Sequence, residues 1–291
     1  MTQPAASIRH ILFPFDFSPR AHQVAPFVAA LAARAAARVT LLSVLPPTFD
    51  RMPADMGDLR AGDDAATWVA NLQTRLNGQL ADEFRSLTTD RVAVSGDPAL
   101  RIIEYANCEG VDLIMMPTHG LGVFRTLLIG SVTAKVLHDA TCPVWTAAHA
   151  ETQTAQPNPR AIVCAVDGSD ATVSLIRWAI DFGNLTGATL SVVRVVDPVT
   201  DWPSLASEQR VQEQVRLEAQ REIEAVLSHA RITVPFRVPV GRIVETVVSE
   251  ATTENADLIV VGRGTLAEPF GRLRTHAFGI IQSAPCPVIS V

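Results

Sequence analysis

The sequence predicts an α/β protein made of two tandem copies of one small domain, each an open, doubly wound parallel sheet of five strands. Three observations predict it. Residues 11–16, Ile-Leu-Phe-Pro-Phe-Asp, recur 151 positions later as Ile-Val-Cys-Ala-Val-Asp at 162–167. Within each copy, short apolar runs alternate with stretches of helical period in the order βαβαβαβαβ, which implies parallel strands with helices on both faces. The 291 residues also suffice for two domains, each with its own core.

The first strand of each copy ends in an aspartate, Asp16 or Asp167, followed two places on by Ser18 or Ser169. Ser18 precedes Pro19, an N-cap followed by proline at the first helical position, so the loop turns directly into a helix. The apolar face of that helix is Val24, Phe27, Val28 and Leu31, and at the same offset Leu175, Trp178, Ala179 and Phe182. Second strands follow at Val39 to Leu45 and Thr189 to Val196, apolar almost throughout, as strands covered on both faces must be. Long helices come next, with buried stripes at Leu72, Leu76, Leu80 and Phe84 in one copy and Val215, Ala219, Ile223 and Leu227 in the other. Third strands are expected around Val92 to Val94 and Phe236 to Val240, and third helices from Asp97-Pro98 and near Arg242. Fourth strands begin Asp112-Leu-Ile and Asp257-Leu-Ile, and each copy closes with Cys-Pro-Val and a fifth strand, Cys142 to Thr146 and Cys286 to Val291. By then the offset has fallen to 144, so deletions lie between. The expected domains are 1–147 and 160–291, joined by a polar linker at 148–159.

Composition narrows the function. A formal charge of −6 and the absence of a basic stripe argue against nucleic acid as a partner. No apolar run is long enough for a membrane span, and Met1 to His10 lacks a basic flank followed by an apolar stretch, so a cytoplasmic location is expected. Lys135 is the only lysine, which excludes a Walker loop. Cys108, Cys142, Cys164 and Cys286 show no Cys-x-x-Cys spacing and read as reduced, mostly buried small hydrophobes. The histidines form no pair at ligand spacing, so no metal site is expected. No Gly-x-Ser-x-Gly elbow is present.

In such folds ligands sit at the carboxyl ends of the strands, at the switch point. The candidates are therefore Pro14-Phe15-Asp16-Phe17-Ser18 after the first strand and Pro117-Thr118-His119-Gly120-Leu121-Gly122 after the fourth, with Gly130-Ser131 opening the last helix. Asp16 has two readings: an acceptor for ribose hydroxyls, or a carboxylate that satisfies loop amides. The glycines either admit a phosphate against backbone amides at a helix start, without lysine, or form a plain turn with Ser131 as a cap. His119 lies in that loop without an identifiable nucleophile beside it, so it reads as a loop histidine donating a hydrogen bond.

At these residues the sequence resembles the universal stress protein family, twice over and across essentially the whole chain. Gly120, nine residues, then Gly130-Ser131, after a fourth strand beginning Asp-Leu-Ile, is similar to the Gly-x-x-Gly, nine residues, Gly-Ser pattern of its ATP-binding branch. Thr118-His119-Gly120 and Cys142-Pro143-Val144 also resemble it. The resemblance implies an adenine nucleotide alpha hydrolase-like fold whose two fifth strands pair about a pseudo-twofold axis, giving a monomer that resembles a dimer, or a homodimer. It implies an adenine nucleotide as ligand, ATP with or without Mg²⁺, near Pro14, Met116, Pro117 and His119. Asp16 would contact the ribose, the backbone at Val44 would read adenine, Met116 would flank the base, and Gly120, Gly130, Ser131 and Val132 would cradle the phosphates. Pro117 departs from the pattern: it replaces the first glycine, removes an amide donor and fixes φ.

The second copy departs further. It keeps Asp167, Ser169 and Gly262, but Thr265 replaces the second glycine and Arg274-Thr275 stands where Gly-Ser belongs. Arg263, Arg272 and Arg274 are either a substitute anion site or solvated surface. No nucleotide is expected there. Three functions stay open: an ATP-binding regulatory module of the stress response with a protein partner of unknown kind, a slow ATPase or phosphotransfer enzyme using a divalent ion, and a pure interaction module.

Overall fold

A computed structural model of the chain describes residues 7–47, 65–118, 129–147, 157–198, 205–263 and 275–291. It divides into two compact units, Ser7–Asn158 and Pro159–Val291. The N-terminal unit runs β1 His10–Pro14, α1 Pro19–Ala35, β2 Arg38–Leu45, α2 Ala65–Asn77, β3 Thr89–Ser95, α3 Pro98–Cys108, β4 Leu113–Pro117, α4 Ser131–Asp139 and β5 Val144–Ala147. Its strands lie in the order β3-β2-β1-β4-β5, all parallel. The chain thus moves outward from β1 to β3 and crosses back to β4. The switch point falls between β1 and β4, at their carboxyl ends. Right-handed crossovers put α1 and α2 on one face and α3 and α4, which pack together, on the other.

The C-terminal unit repeats this with β6 Ala161–Ala165, α5 Thr172–Thr186, β7 Thr189–Val193, α6 Leu205–Ala230, β8 Phe236–Arg237, α7 Ile243–Thr253, β9 Leu258–Val261, α8 Thr275–Ser283 and β10 Val288–Ser290. Its order is β8-β7-β6-β9-β10. The pairings Leu12↔Thr40 and Val163↔Ser191 preserve the 151-residue offset in space as well as in sequence.

The helix stripes expected from periodicity are buried in α1 and α5, and in α6 Ala219, Ile223 and Leu227 are buried while Val215 is half-buried. Val24, Phe27, Val28 and Leu31 of α1 and Leu175, Trp178, Ala179 and Phe182 of α5 are all core residues. Local chemistry sets the helix starts: Ser18 Oγ accepts from Ala21 N at 3.1 Å and Asp97 Oδ1 from Leu100 N at 2.9 Å, each ahead of a proline. In the core of the N-terminal unit Phe13 meets Phe15 edge-on at 5.6 Å between centroids and Phe84 at 6.4 Å.

Three expectations need correction. The stripe Leu72, Leu76, Leu80, Phe84 is buried throughout, but the helix stops at Asn77. Gly78 follows, Leu80 takes the left-handed conformation at φ 52°, and Arg91 Nη2 donates to the carbonyl of Gln79 at 2.9 Å. A chain of turns carries Leu80 and Phe84 back to the core. Strands β7 and β8 are shorter than expected, with one further parallel bridge at Val196↔Val240. Pro235 and Pro239 lack amide hydrogens, so that edge offers acceptors to Val192 N and Val196 N but a broken row of donors. Thirdly, the cysteines are free but not mostly buried: Cys164 is buried, Cys142 and Cys286 are half-buried and Cys108 is exposed. Burial pushes the Cys164 thiol up to about 12, and burial with the nearby Asp257 does the same to Cys286.

Candidate functional site

The pairings Ile11↔Leu113 and Leu12↔Ile114 bring the ends of β1 and β4 level, so the loops that leave them stand side by side at the switch point. Pro14 closes β1, opposite Leu42. Asp16 then lies half-buried in the turn, its Oδ1 accepting from Ser18 N at 3.0 Å. The loop-amide role of Asp16 is therefore real, and it leaves the second carboxylate oxygen for other donors. Between them, Phe17 is held at φ 61°, unusual for an aromatic residue, with its ring edge-on to Phe15 at 5.1 Å. The Arg75 guanidinium, from α2, covers the Phe17 ring at 4.1 Å.

The backbone of β2 shows what Val44 offers. Leu42 O accepts from Phe15 N, and Leu45 O accepts from Gly96 N on the opposite side. Because amide and carbonyl directions alternate along a strand, the N–H and C=O of Val44 point to the β1 side, where β1 has already ended. An edge of backbone donor and acceptor thus opens above Pro14.

On the other side of the switch point, Met116 and Pro117 are the last residues of β4, buried and paired with Thr146 and Ala147. The Pro117 carbonyl accepts from Thr133 Oγ1 at 3.1 Å, which ties the end of β4 to the first turn of α4. Thr118 is buried; its amide and hydroxyl both donate to Ala147 O, at 3.3 and 3.1 Å. Its carbonyl accepts from Gly130 N at 2.9 Å, so Thr118 and Gly130 clasp the two ends of the intervening loop. The middle of that loop, His119, Gly120 and Gly122 included, lies outside the described residues. Gly130 N is accordingly committed to Thr118.

Gly130 caps α4 with φ −58° and ψ 147° and supplies no side-chain hydrogen bond, whereas α1 and α3 are capped by Ser18 and Asp97. The first intrahelical bond is Ala134 N to Gly130 O at 2.8 Å, which leaves the amides of Ser131, Val132 and Thr133 without a partner inside the helix. Those amides, the Ser131 hydroxyl and the positive end of the helix dipole make a corner beside Thr118 whose chemistry suits an anion. One turn on, Lys135 Nζ lies 3.6 Å from Asp97 Oδ1. The Leu100 amide and then Lys135 hold the Asp97 carboxyl below the usual carboxylate range.

Sequence reasoning named Asp16, Val44 and Ser131 but missed Arg75, Thr133 and the clasping role of Thr118. A threonine two residues into a helix carries no signal until the strand carbonyl it reaches is known, and an arginine on a helix face reads as solvated surface. In the C-terminal unit, Gly262 and Arg263 follow β9, with Arg263 buried and its amide donating to Val291 O at 3.0 Å. Thr265, Arg272 and Arg274 lie outside the described residues.

An open parallel sheet in this strand order, present twice, makes an α/β protein whose architecture is consistent with the adenine nucleotide alpha hydrolase-like fold. The model of the Universal stress protein family matches residues 7–147 and again 159–291, and the chain belongs to that family as a tandem member. A universal stress protein of Mycolicibacterium smegmatis is 24% identical over 287 residues, covering 97% of this chain and 96% of that protein. One from Thermus aquaticus is 44% identical over 55 residues, which is 19% of this chain and 40% of that protein. Among solved structures, a universal stress protein from Archaeoglobus fulgidus covers 97% of both chains with a TM-score of 0.70 at 20% identity, a likeness of fold.

Proposed function

We propose that the N-terminal unit binds ATP at the carboxyl ends of β1, β2 and β4, and that occupancy of this site, rather than turnover, is the output of a regulatory stress-response module. The observation that carries the reading is the start of α4: a helix with a glycine cap, three amides without helical partners and a serine hydroxyl, level with the Asp16 loop. Backbone groups of Val44 facing the space beyond β1 fit a base, and the second carboxylate oxygen of Asp16 fits ribose hydroxyls. Pro117 supplies no amide donor, and the Thr118 to Gly130 clasp fixes the loop ends without it.

Mass spectrometry of ligand released from freshly purified protein, together with titration calorimetry of ATP with and without Mg²⁺, tests this. Gly130→Val supplies the control, because its φ of −58° and ψ of 147° suit valine and its hydrogen bond to Thr118 is kept, while this reading expects a branched side chain there to crowd the phosphates. The expected result is a folded protein that no longer binds ATP. Parental affinity in Gly130→Val refutes the pocket, and steady phosphate release replaces a binding module with a slow ATPase.

A further inference from the structure

Arg194, on the chain continuing from β7, crosses the matching crevice of the C-terminal unit. Its Nη2 pairs with Glu222 at 2.7 Å and its Nη1 donates to the Ala219 carbonyl at 3.2 Å, both on α6. The opposite side of the guanidinium lies against Gly168, the residue after Asp167: a Cβ placed there would meet Cζ and Nη2 at 2.8 Å and Nε at 3.1 Å. Gly168 is thus constrained twice, by this close approach and by its φ of 81°.

The walls that the guanidinium joins are those of the nucleoside crevice in the other unit. Asp167 Oδ1 accepts from Ser169 N at 2.9 Å, as Asp16 does from Ser18. Val193 O accepts from Val166 N while Arg194 N and Val196 N donate to the β8 side, so the N–H and C=O of Val195 face the space beyond β6, as those of Val44 do beyond β1. Arg194 leaves the strand one residue before Val195 and ends one residue after Asp167. At the same offset the N-terminal unit has Ser43, buried and too short to reach the loop.

We infer that Arg194 is the determinant that closes the C-terminal crevice to nucleosides: the chain fills that site with its own guanidinium, latched to Glu222. The inference rests on the proposed placement of a nucleoside between Asp16 and Val44. An entering base would have to strip a cation, whose side chain is only 17% exposed, of its carboxylate and carbonyl partners, and that separation is strongly unfavourable. The latch acts apart from the phosphate loop, so a ligand without phosphates reports on it alone.

Titration calorimetry of full-length protein with adenosine is the test, on the parent, Arg194→Ser, and Arg194→Ser combined with Asp167→Asn. The parent is expected to take about one equivalent per chain and Arg194→Ser about two, the second lost with Asp167→Asn. Parental stoichiometry in a folded Arg194→Ser overturns the inference while leaving the N-terminal site intact. A parent that binds nothing, with an Arg194→Ser that gains one Asp167-dependent site, overturns the N-terminal reading and upholds this one; binding in neither overturns both. If Arg194→Ser does not fold, Glu222→Gln, at a position 63% exposed, releases the same guanidinium from outside the crevice. A second equivalent in that variant supports the latch, and its absence overturns it.

Discussion

Replacing Asp16 by asparagine separates what the carboxylate does for the fold from what it does for a ligand. In the folded chain Asp16 Oδ1 accepts one hydrogen bond, from Ser18 N at 3.0 Å. The asparagine oxygen accepts the same bond, so the loop and the Ser18 cap behind it persist, and the stability change should stay within about 0.5 kcal/mol, as for substitutions that break no buried network. The ribose contact is different. A hydrogen bond to a charged acceptor contributes roughly 1.5–3 kcal/mol, and about 1.4 kcal/mol is a factor of ten in affinity. Asp16→Asn is therefore expected to weaken ATP binding by about 10- to 100-fold with an unchanged unfolding curve. Asp167→Asn, in the crevice covered by Arg194, should change neither. Calorimetry against denaturant unfolding reads both quantities. Unaltered affinity in Asp16→Asn, or affinity lost through Asp167→Asn instead, refutes the placement of the ribose.

Ser18→Ala removes the side-chain cap of α1 and should cost about 1 kcal/mol in urea unfolding, whereas Ser169→Ala should cost almost nothing, because the N-cap of α5 is Ala171, with no side-chain cap hydrogen bond. In native alkylation with iodoacetamide near neutral pH, exposed Cys108 should be labelled while Cys164 and Cys286, both raised to about 12, stay unmodified until the chain unfolds; early loss of the Cys164 thiol would contradict the burial. His10, buried with Nε2 2.9 Å from Thr40 Oγ1, is held below its ordinary 6.5 by burial and then by Arg38. The unfolded chain takes up this proton first on acidification, so the contribution of His10 is complete above 6.5 and is lost as pH falls from there towards the lower folded value. His10→Gln should flatten that part of the stability profile, and an unchanged acid limb would refute it.

Much of this protein was legible in the sequence because its determinants are local. The strand and helix order follows from hydrophobic period. The starts of α1 and α3 follow from Ser18-Pro19 and Asp97-Pro98, where capping residue and proline are adjacent and no distant partner is needed. Even the repeat is a statement about one-dimensional pattern, and the pairings Leu12↔Thr40 and Val163↔Ser191 keep its 151-residue offset. The end of α2 at Asn77 was not legible, since Leu80 and Phe84 continue the helical period by position while reaching the core through turns fixed by Arg91 and Phe13. The chemistry of the candidate site was decided in the same way. Gly130 gives its amide to Thr118, Thr133 reaches Pro117, Arg75 covers Phe17, and Arg194 covers Gly168. Each of these joins residues 12 to 58 positions apart that only sheet register and helix packing bring together. A sequence records which side chains are long enough or polar enough to make such contacts, but the partner is chosen by the packed backbone, because the free energy of a buried hydrogen bond or ion pair depends on what stands opposite it.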